Sequence, residues 1–225
     1  MMDKNTESRS LSTARIGIFS ALYIVTSLIP ISIFIGAPSF LALNLVITPI
    51  MAILLQPVEA FSASLIGGIL SLYIAPGQAM FGLFSVMLPV AGATFGSQAY
   101  RKGKNGKMLA GLFLIGSISL YLIKNYSFPY FVAPHLIAFV VIAISVVKGM
   151  TTLKIKVPLY AYVSTMCEQG MMMIFAVHLL GLQWQVFTGI LPIMLYERLV
   201  GTAGASLIIL GLQRFAPHYF EPLNE

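Results

Sequence analysis

The sequence predicts an all-α integral membrane protein, a single bundle of about eight transmembrane helices. Of its 225 residues, 58% are hydrophobic, 13 are Lys or Arg and 7 are Asp or Glu. A soluble chain of this length has roughly a quarter charged residues. The mean hydropathy of +0.92 also points to a membrane protein. This composition excludes a soluble enzyme, a disordered chain and a free nucleic-acid-binding protein.

Two long uncharged runs predict the first four crossings. Residues 16–58 form a run of 43 residues without Lys, Arg, Asp or Glu, and residues 60–100 form a run of 41. About 20 apolar residues span the hydrocarbon core, so each run predicts two helices. The breaks fall at 36–39 (GAPS) and 76–78 (PGQ), because Pro and Gly interrupt helices. Between the runs, Glu59 suits the positive start of a helix as a cap.

Four shorter runs predict the remaining crossings. They are residues 108–123 and 131–147 around a polar loop at 124–129, and residues 159–180 and 187–212. The run 108–123 is short, so six crossings remain an alternative if the segment 108–147 does not cross the membrane.

The domain organisation follows from these runs. Residues 1–13 are polar and predict a disordered cytoplasmic N-terminus. Residues 14–214 form a single transmembrane domain, and residues 215–225 form a cytoplasmic tail.

The placement of the basic residues predicts the orientation. Short loops rich in Lys and Arg stay in the cytoplasm. Three basic residues precede the first crossing, four lie at 101–107, three at 148–156, and one follows the last crossing. Both termini are therefore expected in the cytoplasm of a multi-pass cell-membrane protein. This topology explains the net charge of +6 without nucleic acid, and membrane lipid is the expected partner of the basic loops.

The sequence has no motif for catalysis, nucleotide binding or metal binding. A single cysteine, Cys167, excludes an internal disulfide and a cysteine-based zinc site. Residues 103–107 (GKNGK) have the wrong spacing for a phosphate-binding loop and are followed by Met108 rather than Ser or Thr. We expect no enzyme activity and no cofactor. If ATP drives this protein, the ATPase is another chain.

Three charged side chains fall at membrane depth in the last two predicted crossings. Glu168 lies about nine residues from the cytoplasmic end of one, and Glu197 and Arg198 lie about ten residues from the outer end of the other, so their depths are comparable. Adjacent helical residues point about 100° apart, so Arg198 is expected to pair with Glu168 rather than with Glu197. Two interpretations stay open: an ion pair that only fixes packing, and a substrate or coupling site.

Further candidate ligand contacts lie on the predicted outer side. Asn125 belongs to the loop at 124–129, and Gln183 and Trp184 belong to the loop before the last crossing. An interfacial aromatic belt is the simpler explanation for Trp at this level. Alternatively, residues 183–185 (QWQ) offer hydrogen-bonding groups around a flat ring, which suits a small planar ligand.

The first crossing has a candidate docking face. Gly17 and Ala21 lie four residues apart, and small residues at this spacing let two helices approach closely. Packing within the chain is the simpler interpretation. The alternative is docking of a partner protein, which is favoured because this face lies next to the basic cytoplasmic end of the crossing.

Three segments resemble the S components of energy-coupling-factor (ECF) transporters. Residues 14–25 (ARIGIFSALYIV), followed by 28–30 (LIP), are similar to the first helix of that family. Residues 55–60 (LQPVEA) resemble the turn into its third helix, and residues 191–199 (LPIMLYERL) resemble its final helix. The family's small-x-x-x-small motif matches Gly17 and Ala21, with Gly in place of the usual first Ala.

The resemblance covers roughly residues 14–100 and 187–214. The family usually has six helices, so the segment 108–147 would be an added hairpin. The resemblance implies a membrane subunit that binds a vitamin or micronutrient and works with a transmembrane coupling subunit and two ABC-type ATPases. The small-molecule contacts are then expected at Glu197, Arg198, Trp184, Gln183, Asn125 and Glu168, with partner docking at Gly17 and Ala21.

Two other classes of function stay open. A stand-alone secondary transporter would use Glu168 as a proton site and need only an ion gradient. A membrane scaffold protein would bind no small molecule.

Overall fold

The chain is all-helical where its structure, a computed structural model, describes it: residues 4–30, 42–149 and 152–215. Helix accounts for 89% of this part, and no strand occurs in it, which confirms the predicted all-α class. The helices in these ranges are α1 (Lys4–Ser27), α2 (Asn44–Leu54), α3 (Pro57–Ile74), α4 (Met87–Arg101), α5 (Gly103–Asn125), α6 (Ala133–Lys148), α7 (Leu153–His178) and α8 (Trp184–Phe215).

Within the described residues, four helical segments are long and apolar enough to cross a membrane, which indicates a membrane protein. They are α3, α5, α8 and the segment Pro129–Lys148, which contains α6. α2 is apolar as well but has only 11 residues. Two of the four lie within or overlap the segment 108–147, where the sequence left crossing undecided, and both have the length and composition to cross.

One predicted boundary differs from the observed helices. α1 begins at Lys4, whereas the sequence predicts a disordered N-terminus over residues 1–13. This stretch contains no Pro or Gly, so the first helix continues outward through its polar residues. The predicted break at 36–39 and the predicted tail from residue 216 onward lie outside the described residues. The predicted break at Pro76–Gln78 is a 3₁₀ turn.

The turn between α2 and α3 is stabilised by Glu59. The backbone N–H of Gln56 donates to the Glu59 carboxylate at 3.0 Å, and Pro57 occupies the first turn of the helix, where no N–H is needed. The same carboxylate lies 3.9 Å from the Arg15 guanidinium. The expectation that Glu59 acts as a helix cap is confirmed.

Basic side chains gather at one end of the bundle, which we call the basic end. Arg101 donates from Nη2 to the carbonyls of Ile53 and Leu54, each at 2.7 Å. Lys107 donates from Nζ to the Ser145 carbonyl at 2.9 Å. These carbonyls lie in the last turns of α2 and α6, where the helix dipole favours a cation. The basic loops of the sequence therefore share one end of the fold.

The centre of the bundle is formed by α4 and α7. α4 packs against α2, α3, α5 and α7, and α7 also packs against α6 and α8. The close approach depends on Gly92 and Gly96 of α4, because a Cβ at Gly96 would lie 2.7 Å from Ser164 Cβ and 2.8 Å from Ala52 Cβ. The Ser164 hydroxyl donates to the Gly92 carbonyl at 2.9 Å. This contact holds α7 at a fixed register beside α4.

Candidate functional site

A cavity of about 360 Å³ lies in the half of the bundle away from the basic end. It is bounded by residues of α1, α2, α3, α4, α7 and α8, by the turns after α3, and by the loop before α8. A volume of this size falls in the range of small-molecule sites. The cavity is thus the candidate binding site of the described structure.

The polar floor of the cavity contains Glu168, Glu197 and Arg198. Arg198 Nη1 lies 3.8 Å from Glu168 Oε1, and Nη2 lies 3.6 Å from Glu197 Oε2. Arg198 is 3% exposed and Glu168 is 8% exposed, so these charges interact with little screening by water. We call these three residues the charged floor. The predicted Arg198–Glu168 pair is confirmed.

The expectation that Arg198 would not pair with Glu197 is wrong. The Cα–Cβ bonds of neighbouring helical residues diverge, as assumed. The long side chains of Arg and Glu nevertheless have enough rotatable bonds to bring the guanidinium and the carboxylate together. One guanidinium therefore lies between two carboxylates, one on α7 and one on α8.

Neighbouring polar groups extend the charged floor. Arg198 Nη1 donates to the Thr165 carbonyl at 3.4 Å. Tyr23 and Asn44 also line the cavity, and the Tyr23 hydroxyl is hydrogen-bonded to the Asn44 side chain. Gln169 is 2% exposed and lines the cavity, and its Oε1 has no hydrogen-bond partner within the described ranges.

The walls of the cavity are apolar and rich in Phe and Met. Phe131 and Phe187 line it with their ring centroids 4.8 Å apart, and Phe187 also meets the Tyr121 ring edge-on at 5.0 Å. Met173 and Met194 are each 1% exposed. Aromatic faces and flexible thioethers suit a flat apolar ligand.

The other predicted ligand contacts lie outside the cavity wall. Asn125 is 1% exposed, and its Nδ2 donates to the Leu182 carbonyl at 3.4 Å, so it fixes the loop before α8. Trp184 is 38% exposed at the start of α8, and Gln183 is exposed beside it. Leu182 and Phe187, on either side of them in the chain, do line the cavity. The structure thus separates these three residues from the charged floor.

The predicted docking residues lie on an exposed face of α1. Gly17 and Ala21 are exposed, and a Cβ built at Gly17 meets no described atom within 4 Å. The opposite face of α1 packs inward: Tyr23 is 7% exposed, and the Ser20 hydroxyl donates to the Ala63 carbonyl at 3.1 Å. Packing within the described chain therefore does not use the Gly17/Ala21 face.

Sequence reasoning missed several residues of the cavity. Gln169 had a detectable signal, since it follows Glu168 in an otherwise apolar helix. Phe131, Phe187 and Met194 had none, because an aromatic or Met side chain in a crossing can face lipid as well as an interior cavity.

Comparisons with protein-family models, with characterised proteins and with solved structures find no match to this chain. Within the described ranges, no group of three or more His, Cys, Asp or Glu side chains is arranged to hold a metal ion.

Proposed function

We propose that the chain is the substrate-binding membrane subunit of an ECF-type importer for a vitamin or another small micronutrient. The observation that carries the proposal is the cavity of about 360 Å³ with a buried charged floor in an otherwise apolar helix bundle. Charged groups at such depth are costly in a membrane unless they are paired or serve a function. A cavity beside them supplies the space for a ligand.

The proposal includes a topology of eight crossings with both termini in the cytoplasm. Four helical segments have the length and composition to cross, and the remaining helices pack alongside them in one bundle. The basic end would face the cytoplasm, because Lys and Arg are retained there. The cavity would then lie in the outer half of the membrane, where a ligand arrives.

The exposed face of α1 supports docking of a transmembrane coupling subunit. Gly17 and Ala21 leave a shallow, apolar surface that nothing in the described chain covers. In a membrane, helix association depends on close van der Waals packing, which small residues allow. ABC-type ATPase subunits would reach the complex through this coupling subunit.

Ligand binding and partner dependence test the proposed function. The protein, purified from its native membranes in an uncharged detergent, should carry a small molecule that mass spectrometry identifies after denaturation. In proteoliposomes, the isolated subunit should bind this molecule but accumulate it only with the coupling subunit, the ATPases and ATP. Accumulation by the isolated protein, or the absence of any bound small molecule, would contradict the proposal.

Substitutions on α1 test the docking face. Gly17→Leu and Ala21→Leu should prevent co-purification of the coupling subunit while ligand binding by the isolated protein is retained. Gly116→Leu is the matched control, because a Cβ at Gly116 of α5 also meets nothing within 4 Å. Normal co-purification of both α1 variants would make the exposed face a lipid contact only.

A secondary transporter remains the second candidate function. The supporting observation is the buried pair of carboxylates, Glu168 and Glu197, on either side of Arg198, because intramembrane carboxylates often carry protons. Such a transporter would drive uptake in proteoliposomes with a pH gradient alone, and Glu168→Gln would abolish that uptake. A membrane scaffold protein would show no ligand in either experiment.

A further inference from the structure

The charged floor has more negative than positive groups. Two carboxylates, Glu168 and Glu197, face one guanidinium, Arg198. Among the described residues that line the cavity, no other Lys, Arg, Asp, Glu or His occurs. With these three groups ionised, the floor has a formal charge of −1. A surplus carboxylate away from water is strongly disfavoured unless a proton or another cation lies beside it.

Several polar atoms at the floor are buried without a hydrogen-bond partner in the described part of the chain. Arg198 Nε is such a donor, and Gln169 Oε1 and Glu168 Oε2 are such acceptors. Leaving buried acceptors unpaired is unfavourable. Glu168 and Gln169 line the cavity, so a ligand with N–H donors can satisfy both acceptors.

The walls suit the remainder of such a ligand. Phe131 and Phe187 present aromatic surfaces to the cavity, and Met173 and Met194 are packed around it. Aromatic faces attract cations as well as flat rings, most strongly where water is excluded. The walls therefore tolerate a positive charge on the ligand, and they add no negative group to those of the floor.

We infer that the cavity takes a small organic monocation whose charged group donates N–H hydrogen bonds to Glu168, Glu197 and Gln169, and whose remainder is flat and apolar. This inference rests on the proposed substrate-binding function and names its ligand class. Arg198 does not attract an anionic ligand group here, because both neighbouring carboxylates already neutralise it. Its guanidinium lies between the two carboxylates, reduces their mutual repulsion and keeps them at one level of the cavity.

Three probes of nearly identical shape test the inference: benzamidinium, benzamide and benzoate. They carry charges of +1, 0 and −1 on the same ring. Each is titrated into the millimolar range with the full-length protein in an uncharged detergent, and the unfolding temperature is followed. A ligand that binds the folded state raises this temperature in a saturable way. Benzamidinium should bind about tenfold or more tightly than either of the others, as expected for one added charge-assisted hydrogen bond.

A variant with its matched control places the binding at the floor. Glu197→Gln removes one negative charge, so benzamidinium affinity should fall by about tenfold while that of benzamide changes little. Glu59→Gln makes the same chemical change at the basic end, away from the cavity, and should leave all three affinities unchanged. The charge series on the unaltered protein stands even if the Glu197 variant folds poorly.

Each outcome decides the inference separately from the proposed function. Preference for benzoate or benzamide, or no saturable shift with benzamidinium, overturns the inference. A neutral or anionic molecule found bound in the protein from native membranes overturns it too, while the substrate-binding function stands. If no native ligand is found but benzamidinium binds with the predicted charge and Glu197 dependence, the ligand class of the cavity is supported and the proposed import function fails. The Glu197→Gln variant binding benzamidinium as tightly as the unaltered protein would also overturn the inference.

Discussion

Arg198 is the residue on which the site depends most. Its guanidinium lies between Glu168 at 3.8 Å and Glu197 at 3.6 Å, and its side chain is only 4% exposed. Removing one member of a buried ion pair is strongly unfavourable because the remaining charge stays away from water. Here one substitution leaves two carboxylates without a counter-charge.

We predict that Arg198→Met destabilises the protein by about 3–5 kcal/mol, the range for breaking a buried pair. The measurement is the unfolding midpoint in a denaturing detergent. Combining Arg198→Met with Glu168→Gln and Glu197→Gln should restore most of the loss, because all three charges then disappear together. The double variant Arg198→Met with Glu168→Gln should stay destabilised, since Glu197 remains uncompensated. Full recovery in that double variant would show that Glu197 does not share the guanidinium.

A second prediction separates the cavity wall from the loop before α8. Phe187 lines the cavity and is 2% exposed, so Phe187→Leu should weaken benzamidinium binding by about threefold to tenfold, as expected for about 0.5–1.5 kcal/mol from ring contacts. Trp184→Ala is the control and should change the affinity less, because the Trp184 ring lies outside the cavity wall. A larger loss of affinity in Trp184→Ala than in Phe187→Leu would show that the ligand contacts Trp184, as expected from the sequence.

The contact between α4 and α7 depends on glycine at two positions. A Cβ at Gly96 would lie 2.7 Å from Ser164 Cβ and 2.8 Å from Ala52 Cβ, on backbones that are held by neighbouring helices. Gly96→Ala should therefore destabilise the protein by about 1–3 kcal/mol through overpacking. The measurement is again the unfolding midpoint in a denaturing detergent.

Gly116→Ala is the matched control for this helix contact. A Cβ at Gly116 meets no described atom within 4 Å, and Ala favours the helix over Gly by about 1 kcal/mol. This variant should be as stable as the unaltered protein or slightly more so. If Gly96→Ala and Gly116→Ala have the same unfolding midpoint, α4 and α7 leave room for a methyl group at Gly96, and the prediction is wrong.

The sequence predicted the existence of the helices better than their ends. Apolar runs of about 20 residues predict crossings because that length spans the hydrocarbon core of a bilayer. Glu59 predicts the start of α3 because a carboxylate in the first turn can cap a helix. The start of α1 at Lys4 and the end of α2 at Leu54 were not predictable in this way. Polar residues extend a helix without changing its hydropathy, and α2 ends inside an uncharged run.

At the scale of the whole molecule, the basic end predicts the topology. Replacing Lys104 by Cys should give a thiol that reacts only from the cytoplasm, and Tyr126→Cys should give one that reacts from outside intact cells. Both positions are exposed, Tyr126 by 77%. Cys167 is fully buried, so the unaltered protein serves as an unlabelled background. Labelling of position 104 from outside would reverse the orientation.

The charged floor was only partly predictable from the sequence. Glu168, Glu197 and Arg198 stand out because ionisable groups are rare in apolar helices, and their similar depth suggested contact. The cavity beside them is lined by residues from six helices that are distant in the sequence, and no local pattern encodes how those helices pack. Gln183, Trp184 and Asn125 looked like ligand contacts because polar and aromatic residues in loops resemble both a binding site and a membrane interface.

The depth of the charged floor has an electrical consequence. Glu168 and Arg198 lie well inside α7 and α8, with Arg198 about 20 Å along α8 from Trp184 at 1.5 Å per residue. With all three groups ionised, the empty floor has a formal charge of −1, whereas a floor occupied by a monocation has none. A transmembrane voltage acts on each unit of charge that crosses it with about 2.3 kcal/mol per 100 mV. A monocation that reaches the floor has carried its charge part of the way across the membrane, so a transmembrane voltage would shift the affinity of the floor for that ligand.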